Sequence, residues 1–280
     1  MGIVAAMSRA MRVTTRNASF QQWQALLTNR GKRSRAGEFL VQGVRPLTLA
    51  VEHGWEIHTL IYPERRALSD WARAMLADSG ATGVAMAPEL LAELAGKDAA
   101  ELIGVVGLPS LGLTDVAADR HLLAVVFDRP TTPGNVGTVI RSADAFGASA
   151  VIITGHAADP YDPKAVRAST GSLFALPVIR ADSTREVLDW VGSLRDGGLP
   201  VEVVATDEHG AVDVADYDLT GPRVLLIGNE TTGLSAGWRE AADQTVRIPI
   251  TGAASSLNAA TAATVILYEA VRQRAHPGGA

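Results

Sequence analysis

Three stretches of this 280-residue chain place polar or small residues where an apolar strand gives way to a turn and a helix. Open α/β sheets bind ligands at such strand ends. In "DRPTTPGNVGTVIRSADAFGASAVIITG" (128–155), Asn135 can cap a helix whose apolar face is Val136, Val139, Ile140, Ala143 and Phe146. Gly147 stops that helix, and Arg141 falls off its apolar stripe as a lone cation. In "RVLLIGNETTGLS" (223–235), Gly228 permits close backbone approach to a ligand, and Glu230 stands at the strand end. In "RIPITGAASSLNAATAATVILYEAVRQR" (247–274), Ser255 or Ser256 can cap a helix beginning near Leu257, whose first turns are Asn258 and small residues. A helix N-terminus with free N–H groups suits an anion. Each stretch also has an ordinary explanation: a surface arginine, a solvated turn carboxylate, and a well-capped buried helix.

The elements around them read as α/β. In the first part, a helix at 20–27 leads into the basic cluster "RGKRSR". Strands follow at "EFLVQG", "EIHTLIY", "GVAMAP" and "LIGVVGLP", with helices at "PLTLAVEHG", "ALSDWARAMLADSG" and 89–94. The unbroken apolar run "LLAVVFD" reads as a buried parallel strand. Further strands are predicted at "AVIIT", "LPVI", "VEVVATD", "RVLLIGNE" and "TVRIPI", with helices between most of them, which gives a mainly parallel sheet. The expected organisation is a disordered basic tail (1–16), a small α/β domain (17–109), a linker (110–120) and a larger α/β domain (121–280).

Composition narrows the chemistry. The absence of cysteine removes disulfides, thiolate zinc sites, iron–sulfur clusters and a cysteine nucleophile. The six histidines show no ligand spacing, so no metal site is expected. No GxGxxG follows the first strand, and no GxxxxGK[ST] occurs, which argues against dinucleotide and P-loop enzymes. The net charge of −5 hides an asymmetry: residues 1–45 hold eight bases against one acid, a local +7, leaving −12 for the rest. A basic N-terminal part suggests a polyanionic partner. No apolar run is long enough to span a bilayer, and the start of the chain lacks a secretory signal; the expectation is a soluble cytoplasmic protein.

Taken together, "GNVGTVIRSADAFGA", "LLIGNETTGLS" and "IPITGAASSLNAATAATVILYE" resemble, in order and spacing, the three motifs of the SpoU/TrmH family of RNA ribose 2′-O-methyltransferases in the SPOUT superfamily. "KAVRASTGSLFALPV" (164–178) is similar too, and "GEFLVQGVRPLTLAVEHG" resembles the L30e/L7Ae-like substrate domain of the rRNA-modifying members. The resemblance implies a C-terminal α/β domain with a deep trefoil knot, S-adenosylmethionine (AdoMet) bent within it, and a homodimer whose active site uses both chains. It implies catalytic roles for Arg141, Asn135, Glu230, Ser256 and Asn258, and cofactor contacts at Thr206, Gly228, Ile248 and Leu257.

In the family the arginine is proposed to activate the 2′-hydroxyl. Arginine stays protonated in proteins, so Arg141 reads better as an electrostatic anchor for a phosphate or developing alkoxide. Asn135 would orient Arg141 or the ribose, and Glu230 would fix a partner. RNA contacts are expected at Lys32, Arg33, Arg35, Arg45, Arg167 and Ser169. The L30e-like part favours rRNA, with 23S rRNA as the leading substrate, and some relatives methylate their own 23S rRNA to resist ribosome-targeting antibiotics. A housekeeping rRNA or tRNA methyltransferase and a binding-only RNA protein are the alternatives.

Overall fold

The computed structural model describes residues 11–96 and 100–276. The chain divides into two compact units, one of Met1–Pro109 with Tyr161–Pro163, the other of Ser110–Pro160 with Lys164–Ala280.

In the first unit the elements run β1 (Met11–Val13), α1 (Ala18–Thr28), α2 (Arg30–Ala36), β2 (Glu38–Gln42), α3 (Val44–Glu52), β3 (Ile57–Pro63), α4 (Asp70–Asp78), β4 (Thr82–Met86), α5 (Pro88–Ala95) and β5 (Ile103–Gly107). They form a mixed sheet of order β1-β4-β3-β5-β2, in which β5 runs antiparallel to both of its neighbours. Asn17 starts α1 by accepting the Phe20 amide, and the helix buries Phe20, Trp23 and Leu26. Two expectations change here. Met11–Val13 is a strand paired with β4 rather than part of a disordered tail, because Val13 is apolar and fully buried; residues 1–10 lie outside the described residues. The basic cluster is itself a short helix, with the Asn29 side chain accepting the Lys32 amide and Gly37 closing it in the left-handed conformation.

The second unit contains β6 (Leu123–Asp128), α6 (Pro133–Ala145), β7 (Ala150–Thr154), α7 (Pro163–Ser169), α8 (Ser172–Ala175), β8 (Val178–Ala181), α9 (Thr184–Asp196), β9 (Glu202–Thr206), β10 (Val212–Asp213), β11 (Arg223–Ile227), α10 (Ala236–Ala241), β12 (Gln244–Arg247) and α11 (Ala259–Ala275). The sheet order is β10-β12-β9-β11-β6-β7-β8, and its strand pairings are parallel. Every residue of β6, β7 and β11 is buried, as apolar strands covered on both faces must be. The expected linker is not free: Leu113 and Val116 are buried in this unit's core with Leu122 and Trp238.

Parallel pairing sets the site. Phe127 lies beside Ile227, Leu226 beside Ala205, and Val246 beside Thr206. The segments that leave β6, β9, β11 and β12 therefore emerge at one edge of the sheet. Two helix starts differ from expectation. Thr132, not Asn135, precedes α6, because Pro133 takes the first helical position. Asn258, not Ser255 or Ser256, caps α11, its carboxamide oxygen accepting from the Ala260 and Thr261 amides.

Gly137 explains part of the first motif. A Cβ there would stand 2.2 Å from the Ala165 carbonyl oxygen and 2.7 Å from the Ala168 Cβ. Only a bare backbone lets α6 approach α7 this closely. Gly137→Ala is expected to cost about 1–3 kcal/mol through overpacking, measured by denaturant unfolding against wild type; no loss would show that the two helices separate freely.

Candidate active site

The Glu230 carboxylate joins the segments at that edge. It accepts from the Asn135 amide at 2.9 Å, the Thr131 amide and hydroxyl at 3.1 Å each, and the Thr132 amide at 3.3 Å. The Asn135 oxygen in turn accepts from the Asn258 amide group at 3.3 Å. Asn258 is the α11 cap, so one continuous chain of hydrogen bonds ties the start of α6, the segment after β11 and the start of α11. Burial pushes the Glu230 carboxyl up, but the donors from Asn135, its own backbone and Thr131 outweigh this and hold it below the usual carboxylate value.

A second set of bonds fixes the same segments from beneath. Asp128 is buried at the end of β6, where it accepts from the Ser235 amide at 2.8 Å, Arg129 Nε at 3.1 Å and the Thr154 hydroxyl at 3.3 Å. The Arg129 guanidinium also donates to the Gly233 carbonyl at 3.0 Å, and the Asn229 amide donates back to the Arg129 carbonyl at 2.7 Å. Arg129 takes the left-handed backbone conformation, φ 50°, within this clamp. Gly228 serves the clamp as well, since a Cβ there would meet the Gly233 carbonyl carbon at 2.7 Å. Its bareness is thus required first by the protein's own backbone. Sequence reading passed over Asp128, Arg129 and Asn229; the signal available was a charged pair ending an otherwise apolar strand.

Beside the network lies a cleft of about 250 Å³. Its walls include Thr206, Gly228, Glu230, Ile248, Ser256 and Leu257, all singled out from sequence, together with Asp207, Glu208, Ile227, Ile250, Ala259 and Ala262. The Thr206 hydroxyl donates to the Leu226 carbonyl at 2.8 Å and so bridges β9 to β11.

Other expected residues fall elsewhere. Arg141 is exposed on α6. Six residues beyond Asn135 is about 600° of helical rotation, so the two side chains leave different faces, and Asn135 orients Glu230 and Asn258 rather than Arg141. Lys32, Arg35, Arg45 and Arg167 are exposed. Arg33 is not a surface cation: it is 3 % exposed and donates to the Leu26 carbonyl at 2.7 Å. Ser169 is fully buried, its hydroxyl donating to the Val166 carbonyl. Neither can reach RNA while these elements are folded.

Comparison with known proteins assigns the fold. Residues 122–268 match the SpoU rRNA Methylase family, and residues 17–103 match the SpoU L30e-like domain. The chain belongs to the SpoU rRNA methylase family. It is 60% identical over 267 residues, 95% of this chain and 93% of the relative, to the 23S rRNA (uridine(2479)-2′-O)-methyltransferase of Streptomyces viridochromogenes. It is similar to the crystal structure of the SpoU methyltransferase AviRb from that organism in complex with AdoMet, with TM-score 0.90 and 59% identity over 93% of this chain and 99% of that one. An AdoMet-bound rRNA methyltransferase from Sinorhizobium meliloti matches with TM-score 0.83 and 32% identity, over 95% and 99% of the two chains.

The protein is accordingly an RNA methyltransferase that uses AdoMet. The cleft suits that cofactor in kind. Isoleucine and leucine side chains offer apolar walls for a purine face, and the ionisable residues that line it are all carboxylates, opposite in sign to a sulfonium.

The depressed Glu230 titration has a consequence for stability. A group whose folded value is lowered contributes fully above its unfolded value and loses that contribution as pH falls through the folded value. Glu230→Gln is expected to lower Tm by about 2–4 °C at neutral pH, with the difference from wild type closing in acid below the ordinary carboxylate range. A gap that persists unchanged in acid would mean the charge is not what the donors hold.

Proposed function

We propose that this protein transfers a methyl group from AdoMet to a ribose 2′-hydroxyl, on a uridine of 23S rRNA in the cytoplasm. The observation that carries this reading is the hydrogen-bond chain Glu230–Asn135–Asn258 at the side of the cleft, in a chain so similar to a 23S rRNA uridine methyltransferase. Bound AdoMet supplies an electrophilic methyl on a sulfonium. Glu230 is already committed to four donors, so its role is to hold Asn135 and the Thr131–Thr132 backbone in place. Asn258 holds the start of α11 against Asn135, and Ser256 lines the cleft. The backbones of Gly228, Ile248 and Leu257 are the proposed cofactor contacts, with Thr206 beside them.

Arg141 is the proposed cation for the developing alkoxide or an adjacent phosphate, with the hydroxyl proton leaving to phosphate or water. Its exposure on a face away from Asn135 supports action in trans, within a homodimer in which each site receives the arginine of the other copy. Exposed Tyr268 on α11, edge-on to Phe146 just past α6, supports a partner-covered face there. The trefoil knot typical of the family belongs to the same proposal; the packing of α11 on α6, marked by the 2.7 Å bond between the Ser142 and Thr264 hydroxyls, agrees with it. For RNA, a groove between α1 and α2 is lined by Gln21, Gln22, Lys32 and Arg35. Exposed cations beside amide groups suit phosphate and unstacked bases. Arg45 and Arg167 remain proposed phosphate contacts. A role in antibiotic resistance belongs to the same proposal: methylation at a drug-contacting nucleotide would remove a hydroxyl donor and add bulk.

Two outcomes check this reading. Tritiated AdoMet with 23S rRNA should label one nucleotide as an alkali-resistant 2′-O-methyl product. Arg141→Ala should lose at least about 100-fold in kcat with cofactor affinity kept. Label that appears in tRNA alone, or a fully active variant, would contradict it. Separately, mixing and re-equilibrating inactive Arg141→Ala with inactive Glu230→Ala should restore about a quarter of the sites if the arginine acts in trans, whereas a mixture that stays dead places it in cis.

A further inference from the structure

Two cleft carboxylates lie outside the three motif segments. Asp207 and Glu208 directly follow β9 and line the cleft. Asp207 is fixed: its amide donates to the Val246 carbonyl at 3.0 Å and its Oδ1 accepts the His209 amide at 2.9 Å. Glu208 lies 3.5 Å from the His209 imidazole, whose side chain is 87% exposed, while its own is 46% exposed. Glu230, the third carboxylate, is occupied by its donors. Among the described residues, no lysine, arginine or histidine lines the cleft to offset them.

We propose that Asp207 and Glu208 make the cleft prefer the cofactor over its demethylated product by reading the charge on sulfur. This rests on the assignment of the cleft to AdoMet. In the transfer, an oxygen lone pair forms the new O–C bond while the S–C bond breaks and leaves its electron pair on sulfur. The hydroxyl proton passes to phosphate or water. The cofactor thus changes from a sulfonium to a neutral thioether, and one positive charge leaves the cleft. The ammonium, carboxylate, ribose and adenine are common to both forms. A fixed negative field therefore favours the reactant over the product by the one charge they do not share, and specificity is the difference between the two affinities. Partial exposure of Glu208 puts the effect in a solvent-screened regime, where a carboxylate several ångströms away shifts binding by roughly three- to tenfold.

The test is titration calorimetry of AdoMet and S-adenosylhomocysteine, without RNA, on wild type, Asp207→Asn, Glu208→Gln and the double variant. Asp207→Asn keeps an Oδ1 for the His209 amide, so the turn is retained, and circular dichroism checks each fold. The expected result is weaker AdoMet binding by roughly three- to tenfold in the single variants. S-adenosylhomocysteine affinity should stay unchanged, and the discrimination should shrink from about 0.05 to 0.5 M salt. Equal losses for both ligands would overturn the proposal and assign the carboxylates to a shared group such as the ribose hydroxyls. An unchanged ratio would overturn it too. Ala262→Phe, which fills the cleft, separates this from the parent reading. If it abolishes both ligands while the carboxylate variants keep the wild-type ratio, only the charge-reading proposal fails. If both ligands still bind normally to a folded Ala262→Phe protein, the cleft is not the cofactor site and both fail.

Discussion

One carboxylate holds the site together. Glu230 accepts from donors supplied by the segment after β6 and by the first turn of α6, and through Asn135 it reaches the cap of α11. The residues joined by these bonds lie 95 to 123 positions apart in sequence, yet each bond requires placement within a few tenths of an ångström. A carboxylate is the group suited to this task, because it is acceptor-only and offers two oxygens to several donors at once. Charge-assisted bonds are also stronger than neutral ones. A glutamine at 230 would present one oxygen and an amide NH2 group, itself a donor, facing donors.

The network can exist only because the backbone beneath it is already in register. Parallel pairing of β6, β11, β9 and β12 brings their outgoing segments to one edge. The Asp128–Arg129–Asn229 clamp then sets the spacing between the first two of them, and bare Gly228 allows the close approach that spacing demands. Strain at Arg129 is sustained by bonds on both sides of it. The cleft follows from the same arrangement, so cofactor cleft and hydrogen-bond network are two faces of one set of turns.

Much of this was legible in the sequence. Apolar runs ending at polar residues located every strand of the large sheet except Val212–Asp213, which is too short to carry a pattern. Motif order identified Asn135, Glu230 and Asn258, which the fold brings together. What could not be read were roles decided by distant partners. Asn135 looks like a helix cap by type, but Pro133 claims the first helical position and frees its side chain for Glu230. Arg33 looks like its exposed neighbours in "RGKRSR", yet it faces inward to a carbonyl of α1. Ser169, and Leu113 and Val116 within the 110–120 segment, likewise look solvent-facing until the core that covers them is known.

The central claim is that Glu230 and Asn258 act as one unit through Asn135. A double-mutant cycle on AdoMet affinity tests it, with Glu230→Gln, Asn258→Ala and the double variant compared by calorimetry. The account predicts strong non-additivity, with the double variant little worse than either single one, because either substitution already breaks the shared chain. Additive losses, with the double variant weaker by the product of the two separate effects, would contradict it.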